Sequence, residues 1–262
     1  MSELLSIEWL KIKSYKTFWV LIGFFALLLP FWNYGIANGF MKFGSGDLNF
    51  VSQAYSFGNV WQNLGFWTSI FVVFISILII ILTTNEFQFR TNRQNVIDGW
   101  KHLDFYHAKW LLVLVLSAFT VIYVFLIGLI FGLSYSSFND FPGNISYLFF
   151  TWVLALNYYS FSLLLALLLK KSGIAISMFF LYSMILESLL SKGINWLSHS
   201  LAGNFLPLQC SDELLPFPLL DMVKRIANLS DSVTPTWYVL ASFGWIIIYY
   251  FVGRKKLLKS DW

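Results

Sequence analysis

Residues able to do acid–base, nucleophilic or metal chemistry are few and scattered in this chain. Among 262 residues it has three histidines and one cysteine, namely His102, His107, His199 and Cys210. His102 and His107 are five positions apart, and residues share a helical face at separations of three or four. A metal site at this pair is therefore disfavoured. None of the three histidines lies in an apolar stretch long enough to span a membrane, which disfavours an intramembrane serine protease, and the lone cysteine excludes an internal disulfide.

The sequence also lacks the common motifs of catalysis and nucleotide binding. It contains no G-x-x-x-x-G-K-[ST], no G-x-S-x-G and no H-E-x-x-H. We therefore expect no enzyme activity and no cofactor bound by this chain. Glu187 is the one ionisable residue inside a predicted membrane-spanning stretch, near its outer end, and we expect its carboxylate to reach the outer interface beside Lys192. Contact with a substrate is the alternative.

Membrane helices are the elements that must position these groups. Hydrophobic residues make up 58% of the chain and charged residues 11%, against about 25% charged in a soluble domain. A span needs about 20 mostly apolar residues. The sequence predicts an all-α integral membrane protein, with residues 17–262 as its transmembrane domain. Its six predicted spans are 17–36, 63–84, 110–133, 145–169, 172–190 and 236–252.

The Lys and Arg residues predict the orientation of these spans. Of 17, 13 flank one set of span ends and 4 flank the other. Cytoplasmic loops carry the excess, so both termini are predicted to be cytoplasmic and the chain to lie in the cytoplasmic (inner) membrane of the cell. Cys210 would then be outside, within reach of an impermeant thiol reagent. Because the charges sit at span ends and not on one face, a nucleic-acid partner is excluded.

Residues 1–16 precede the first span and have an amphipathic pattern. Leu5, Trp9 and Ile12 recur at helical spacing, while Lys11 and Lys13 face elsewhere. The pattern predicts an amphipathic helix that lies along the membrane surface.

The longest predicted cytoplasmic loop is 85–109, between the second and third spans. Glu86, Thr91, Gly99 and Lys109 follow one another there at spacings of five, eight and ten. We expect Glu86, at the base of its span, to pair with a nearby basic residue. The spacing and the mixture of apolar and charged residues resemble the coupling helix of type-2 ATP-binding-cassette (ABC) exporter permeases, especially the bacteriocin-immunity and peptide-resistance group.

Two positions depart from the family pattern. Arg90 stands where the family often has Gly before the Thr. Lys101-His102 stands where it often has a Ser-Arg pair.

The resemblance implies a permease subunit that pairs with a second permease chain, as a homodimer or heterodimer. Separate cytoplasmic ATPase subunits would hold ATP and Mg and dock on the loop, with 1–16 as the connecting or elbow helix. The cargo would be amphiphilic: a lipid, lipopeptide or peptide. The residues implied to contact or couple to the ATPase are Glu86, Thr91, Arg93, Val96, Ile97, Asp98, Gly99, Trp100 and Lys109.

A second long segment, 192–235, is predicted outside the membrane between the fifth and sixth spans. Leu215, Leu219, Met222 and Ile226 recur there at helical spacing. We interpret 217–230 as an interfacial helix, and the resemblance implies that this segment forms an outer gate.

Two other classes remain open at this point. The first is a polytopic scaffold or assembly subunit without transport of its own, with 192–235 as its partner-binding surface. The second is a membrane enzyme or secondary carrier, which the lack of intramembrane His and Asp disfavours. Co-purification of a P-loop ATPase would separate the transporter from the scaffold.

Overall fold

The computed structural model describes residues 2–38, 54–91, 102–137, 141–218 and 233–259, and within these ranges every regular element is helical. Six helices are long and apolar enough to cross a membrane, which confirms the predicted fold class. The helices are α1 Ser2–Lys13, α2 Lys16–Ala37, α3 Val60–Gln88, α4 His102–Tyr135, α5 Ser146–Leu169, α6 Ser172–Ser198 (with a π-helical turn at Leu181–Leu186), α7 Gln209–Asp212 and α8 Pro235–Leu258.

Helices α3 and α4 are longer than predicted. They contain 29 and 34 residues, or about 44 and 51 Å at 1.5 Å per residue, whereas the hydrocarbon layer is about 30 Å thick. Their charged ends therefore continue as helix into the aqueous phase. Glu86 and Lys109, predicted in the loop, lie inside these helices. Helix α6 likewise runs to Ser198 and does not stop at residue 190.

The centre of the bundle is formed by α5 and α3. Within their most apolar stretches 78% and 61% of residues are buried, against 17% in α2 and α6. The outer helices expose large apolar side chains, such as Leu27 and Phe31, each 72% exposed. Soluble proteins rarely expose so much contiguous apolar surface to water. Lipid or another membrane-embedded chain must therefore cover it.

A proline inside α2 is accommodated by a side chain from α4. Pro30 has no N–H, so the carbonyl of Ala26, one turn earlier, loses its helical donor. The hydroxyl of Tyr123 donates to that carbonyl. An unpaired backbone group in lipid costs several kcal/mol, by an order-of-magnitude estimate, so Tyr123 fixes α2 against α4 at this level.

Two glycines let aromatic rings lie directly on the backbone of α4. A Cβ at Gly128 would overlap the ring of Trp61, and one at Gly132 would overlap the ring of Phe57. Both rings are fully buried, and Trp61 stacks on Phe125 at 5.6 Å between ring centroids. The close approach of α3 to α4 therefore depends on these glycines.

We expect Gly128→Ala to destabilise the fold by about 1–3 kcal/mol, because the buried Trp61 ring would have to shift. Gly23→Ala and Gly244→Ala are matched controls, since nothing lies within 4 Å of a Cβ at either position. Thermal unfolding of the detergent-solubilised chain checks this. Equal melting temperatures for all three variants would contradict the packing described.

The orientation of the bundle is open to a labelling test. Cys210 is fully buried, so the expectation that its thiol is reachable was wrong and other positions must carry the label. In a Cys210→Ala background we expect Ser200→Cys to react with an impermeant maleimide in intact cells. Lys259→Cys should react only after permeabilisation. Both positions are exposed, and the reverse pattern would mean that the predicted orientation is wrong.

Candidate functional site

Four side chains form a closed ring of alternating charge at the end of the bundle where Lys and Arg are concentrated, called here the basic end. Lys109 Nζ lies 2.6 Å from Glu8 Oε2 and also contacts Glu86 Oε1. Lys11 Nζ lies 3.5 Å from Glu8 Oε1 and 3.4 Å from Glu86 Oε2. Each carboxylate thus uses one oxygen for each lysine, and the ring carries no net charge.

The ring joins three helices that are distant in sequence. Glu8 and Lys11 are one turn apart on α1, Glu86 is in the last turn of α3, and Lys109 is in the third turn of α4. Because α3 and α4 continue past the membrane as helix, Glu86 and Lys109 are presented side by side. Helix α1 crosses beside them and closes the ring.

Because the ring is buried, its ion pairs are strong and its positive and negative charges must cancel. The side chain of Lys109 is 1% exposed and that of Glu8 4%, whereas Lys11 is 32% exposed. Burial by itself raises the pKa of Glu8, but the ammonium groups of Lys109 and Lys11 outweigh it, and the net pKa is lowered. Glu8 is therefore ionised at neutral pH. Removing one partner of such a buried pair costs about 3–5 kcal/mol, because the other charge is left uncompensated.

A cavity of about 330 Å³ adjoins the ring. Its walls include the ring residues, Tyr15, Leu82 and Phe89. Asn85 Nδ2 donates to Tyr15 Oη at 2.8 Å across one side of it, which is a second link between the N-terminal segment and α3.

The backbone just after α3 shows what the family's glycine would do at position 90, where this chain has an arginine. Arg90 has φ 57°, in the left-handed region that glycine enters without steric cost. The family's glycine at this position suits that conformation, and here an arginine adopts it. The turn brings the Thr91 hydroxyl to 3.4 Å from the backbone oxygen of Glu86.

The predicted ATPase-contacting residues divide into two groups. Glu86, Thr91 and Lys109 meet at the basic end, and Glu86 pairs with a basic residue as expected. Their role in coupling stays a prediction. The others lie outside the described residues: Arg93, Val96, Ile97, Asp98, Gly99 and Trp100.

The apolar pattern of α1 was only partly a guide to its orientation. Ile12 is buried, but Trp9 is 51% exposed and meets Phe18 edge-on at 6.3 Å between ring centroids. The side of α1 that faces the protein carries Glu8 as well as Ile12. In a membrane, an apolar side chain can face lipid without an energetic cost, whereas a carboxylate needs a hydrogen-bond donor or a cation beside it. Glu8 was missed because its partner, Lys109, is about 100 residues away.

A second polar cluster lies at the opposite, predicted outer, end. Glu187 is 2% exposed, and its Oε1 accepts the backbone N–H groups of Leu208 and Gln209 at 2.6 and 3.0 Å. The expectation that it snorkels beside Lys192 was therefore wrong. The segment after α6 folds back and supplies amide donors, which satisfy the carboxylate inside the protein.

The same segment is tied to α5 through its side chains. Tyr158 donates to both carboxylate oxygens of Asp212, at 3.0 and 2.9 Å, and Asn157 Nδ2 donates to the carbonyl of Pro207 at 2.7 Å. Burial raises the pKa of Asp212 to about 8, although the hydrogen bond from Tyr158 acts in the opposite direction.

Of the predicted outer-gate residues, Leu215 alone is described. It is buried and packs on Gly65 of α3, where a Cβ would lie 2.7 Å from its Cδ2. It sits in a bend rather than a helix. Leu219, Met222 and Ile226 lie outside the described residues, so the helix predicted over 217–230 and its role as a gate stay predictions.

Comparison with known proteins bears on this architecture. Residues 4–188 match the sequence profile of the ABC-2 family transporter proteins. The matched region contains all four ring residues and ends before the outer segment. No curated protein sequence matches the chain. Since the match covers well over half of the chain, this protein belongs to the ABC-2 transporter family, as a membrane-spanning permease subunit of an ABC transporter.

Proposed function

We propose that this permease subunit exports an amphiphilic cargo, with energy from ATP hydrolysis on separate subunits that dock on residues 86–109. The observation that carries the proposal is the charge ring at the basic end. The ring joins α3 and α4, the two helices that flank the docking segment, to each other and to α1.

The described residues bracket the proposed docking segment. The structure is described up to Thr91 in the turn after α3 and again from His102, where α4 begins. The chain between them is therefore held at both ends by helices whose bases are ion-paired through Glu86 and Lys109. A force applied there by an ATPase would reach α3 and α4 together. Helix α3 lies at the centre of the bundle, so its displacement would reach most of the membrane domain.

The surface of the bundle supports an amphiphilic cargo. Helices α2, α6 and α8 are mostly unburied within the chain, and their exposed faces carry large apolar and aromatic side chains, including Met184, Trp237 and Phe251. Such faces suit lipid, lipopeptide or peptide chains, and a second permease chain as well, better than a hydrated ion. The carboxyl groups of Glu187 and Asp212 in the outer cluster already accept hydrogen bonds from protein donors, which does not favour an ion path.

The first test removes the cation at the centre of the ring. We expect Lys109→Met to lower stability by about 3–5 kcal/mol, since Glu8 and Glu86 would keep only the partly exposed Lys11. ATP-driven export should be lost. Lys13→Met is the matched control, because Lys13 is an exposed lysine on the same side of the bundle and should leave both properties unchanged.

A compensated variant separates stability from coupling. Glu8→Gln/Glu86→Gln/Lys109→Met removes the ring without leaving an unpaired buried charge, so most of the melting temperature should return. If the ring is the connection between helices that coupling requires, ATP hydrolysis in liposomes should stay unresponsive to cargo. A Lys109→Met protein that unfolds and exports like wild type would count decisively against the proposal.

The second test addresses the docking segment itself. We expect Trp100→Ala to weaken association with the ATPase by roughly 1–3 kcal/mol, as for an interface anchor. Gly99→Val should abolish coupling even where binding persists, because a side chain would block a tight bend or close approach. Lys101→Ala is the control, at a position where the family motif is already broken. Detergent pull-down and cargo-stimulated ATP hydrolysis are the measurements.

Wild-type behaviour of both Trp100→Ala and Gly99→Val in both assays would exclude this segment as the coupling element. Failure of any P-loop ATPase to co-purify would favour a scaffold instead.

A further inference from the structure

A second cavity at the basic end is lined mainly by lysines. It has a volume of about 630 Å³ and lies between the ends of α5 and α8. Lysines 170, 255, 256 and 259 contribute to its wall, together with Leu168 and Val252. No carboxylate of the described residues lines it, and a volume of this size accommodates a small molecule or a lipid headgroup.

The positive charge of this cavity is not balanced within the described residues. Lys255, Lys256 and Lys259 make no ion pair there. Two helix C-termini point toward the cavity, and each carries about half a negative charge. Against the three ammonium groups of Lys255, Lys256 and Lys259 this leaves about two positive charges. Stabilising the helix dipoles therefore uses only part of the charge that is present.

The four lysines lie at the ends of α5 and α8, where these helices leave their apolar stretches. Lys170 follows the end of α5 in the left-handed conformation, φ 54°, so the chain turns there. Its ammonium lies 5.2 Å from the centroid of the Phe87 ring. Lys255 and Lys256 lie in the last turn of α8, and Lys259 directly follows it. Long lysine side chains at a helix end keep their stems in apolar surroundings and their charges at the interface.

The apolar part of the wall indicates where the ligand comes from. Leu168 and Val252 are 38% and 43% exposed and lie on the membrane side of the lysines, within their spans. A free phosphate or nucleotide would leave these side chains uncovered. A lipid would place its headgroup among the ammonium groups and its acyl chains against the two apolar side chains. Basic pockets between transmembrane helices are suited to anionic headgroups.

We propose that the cavity between the ends of α5 and α8 binds the phosphate headgroup of an anionic phospholipid from the adjacent leaflet. The site is separate from the charge ring and does not depend on the proposed coupling role. A bound lipid would anchor the ends of α5 and α8 to that leaflet.

Lipid binding to the full chain in detergent tests the proposal, with native mass spectrometry to count bound molecules. We expect phosphatidylglycerol to bind more tightly than phosphatidylcholine of the same acyl chains. Lys255→Gln/Lys256→Gln should weaken phosphatidylglycerol binding about 30-fold, from about fivefold per lysine, and leave phosphatidylcholine binding unchanged. Lys255→Arg/Lys256→Arg should retain tight binding.

Lys13→Gln/Lys16→Gln provides the matched control, because it removes two exposed lysines near α1 and α2 on the same side of the membrane. An equal loss of phosphatidylglycerol in this control would mean a general surface attraction and would overturn the site. Equal binding of the two lipids would also overturn it.

Two further outcomes would reassign the cavity. Displacement of phosphatidylglycerol by millimolar inorganic phosphate would indicate a site for a soluble anion. Unchanged lipid binding, with loss of the ATPase from Lys255→Gln/Lys256→Gln, would assign the lysines to a protein partner.

Discussion

Lys109 is almost fully buried at the basic end of the bundle, and its charge is balanced by carboxylates from two other helices. An ammonium group there cannot remain charged without partners, because desolvation costs several kcal/mol per ion by an order-of-magnitude estimate. Helix α3 supplies Glu86, α1 supplies Glu8, and Lys11 completes the neutralisation. The relative positions of three helices are thus fixed by one electrostatic condition, which packing of apolar side chains against lipid could not impose.

The same need to satisfy polar groups away from water recurs at each level of the structure. In the middle of the bundle the hydroxyl of Tyr123 replaces the donor that Pro30 lacks. At the predicted outer end two backbone N–H groups of the segment that follows α6 donate to Glu187. Transmembrane helices gain little from apolar contact with one another, since lipid is equally apolar. These few polar contacts therefore determine which helix neighbours which.

The six spans could be predicted because an uninterrupted apolar stretch of sufficient length has few other uses. Glu86 and Lys109 could be singled out because their spacing matches a family pattern. Glu8 could not, since nothing local distinguishes a carboxylate that will face Lys109 from one that will face water. The environment of Glu187 was mispredicted for a related reason: its donors are backbone amides, which no residue pattern marks. The lengths of α3 and α4 were underestimated because charges were taken to end helices that in fact continue beyond the membrane.

The separation along the chain between Glu8 and Lys109 imposes an order on biosynthesis. About 100 residues must be synthesised after Glu8 before its partner exists, and the chain emerges from its N-terminus. Until α3 and α4 have been synthesised, Lys11 is the one ring partner available to Glu8. The complete ring also requires Glu86 and Lys109 to lie on the same side of the bilayer as α1. The start of the chain can therefore take its final place only after two later helices have been inserted in compatible directions.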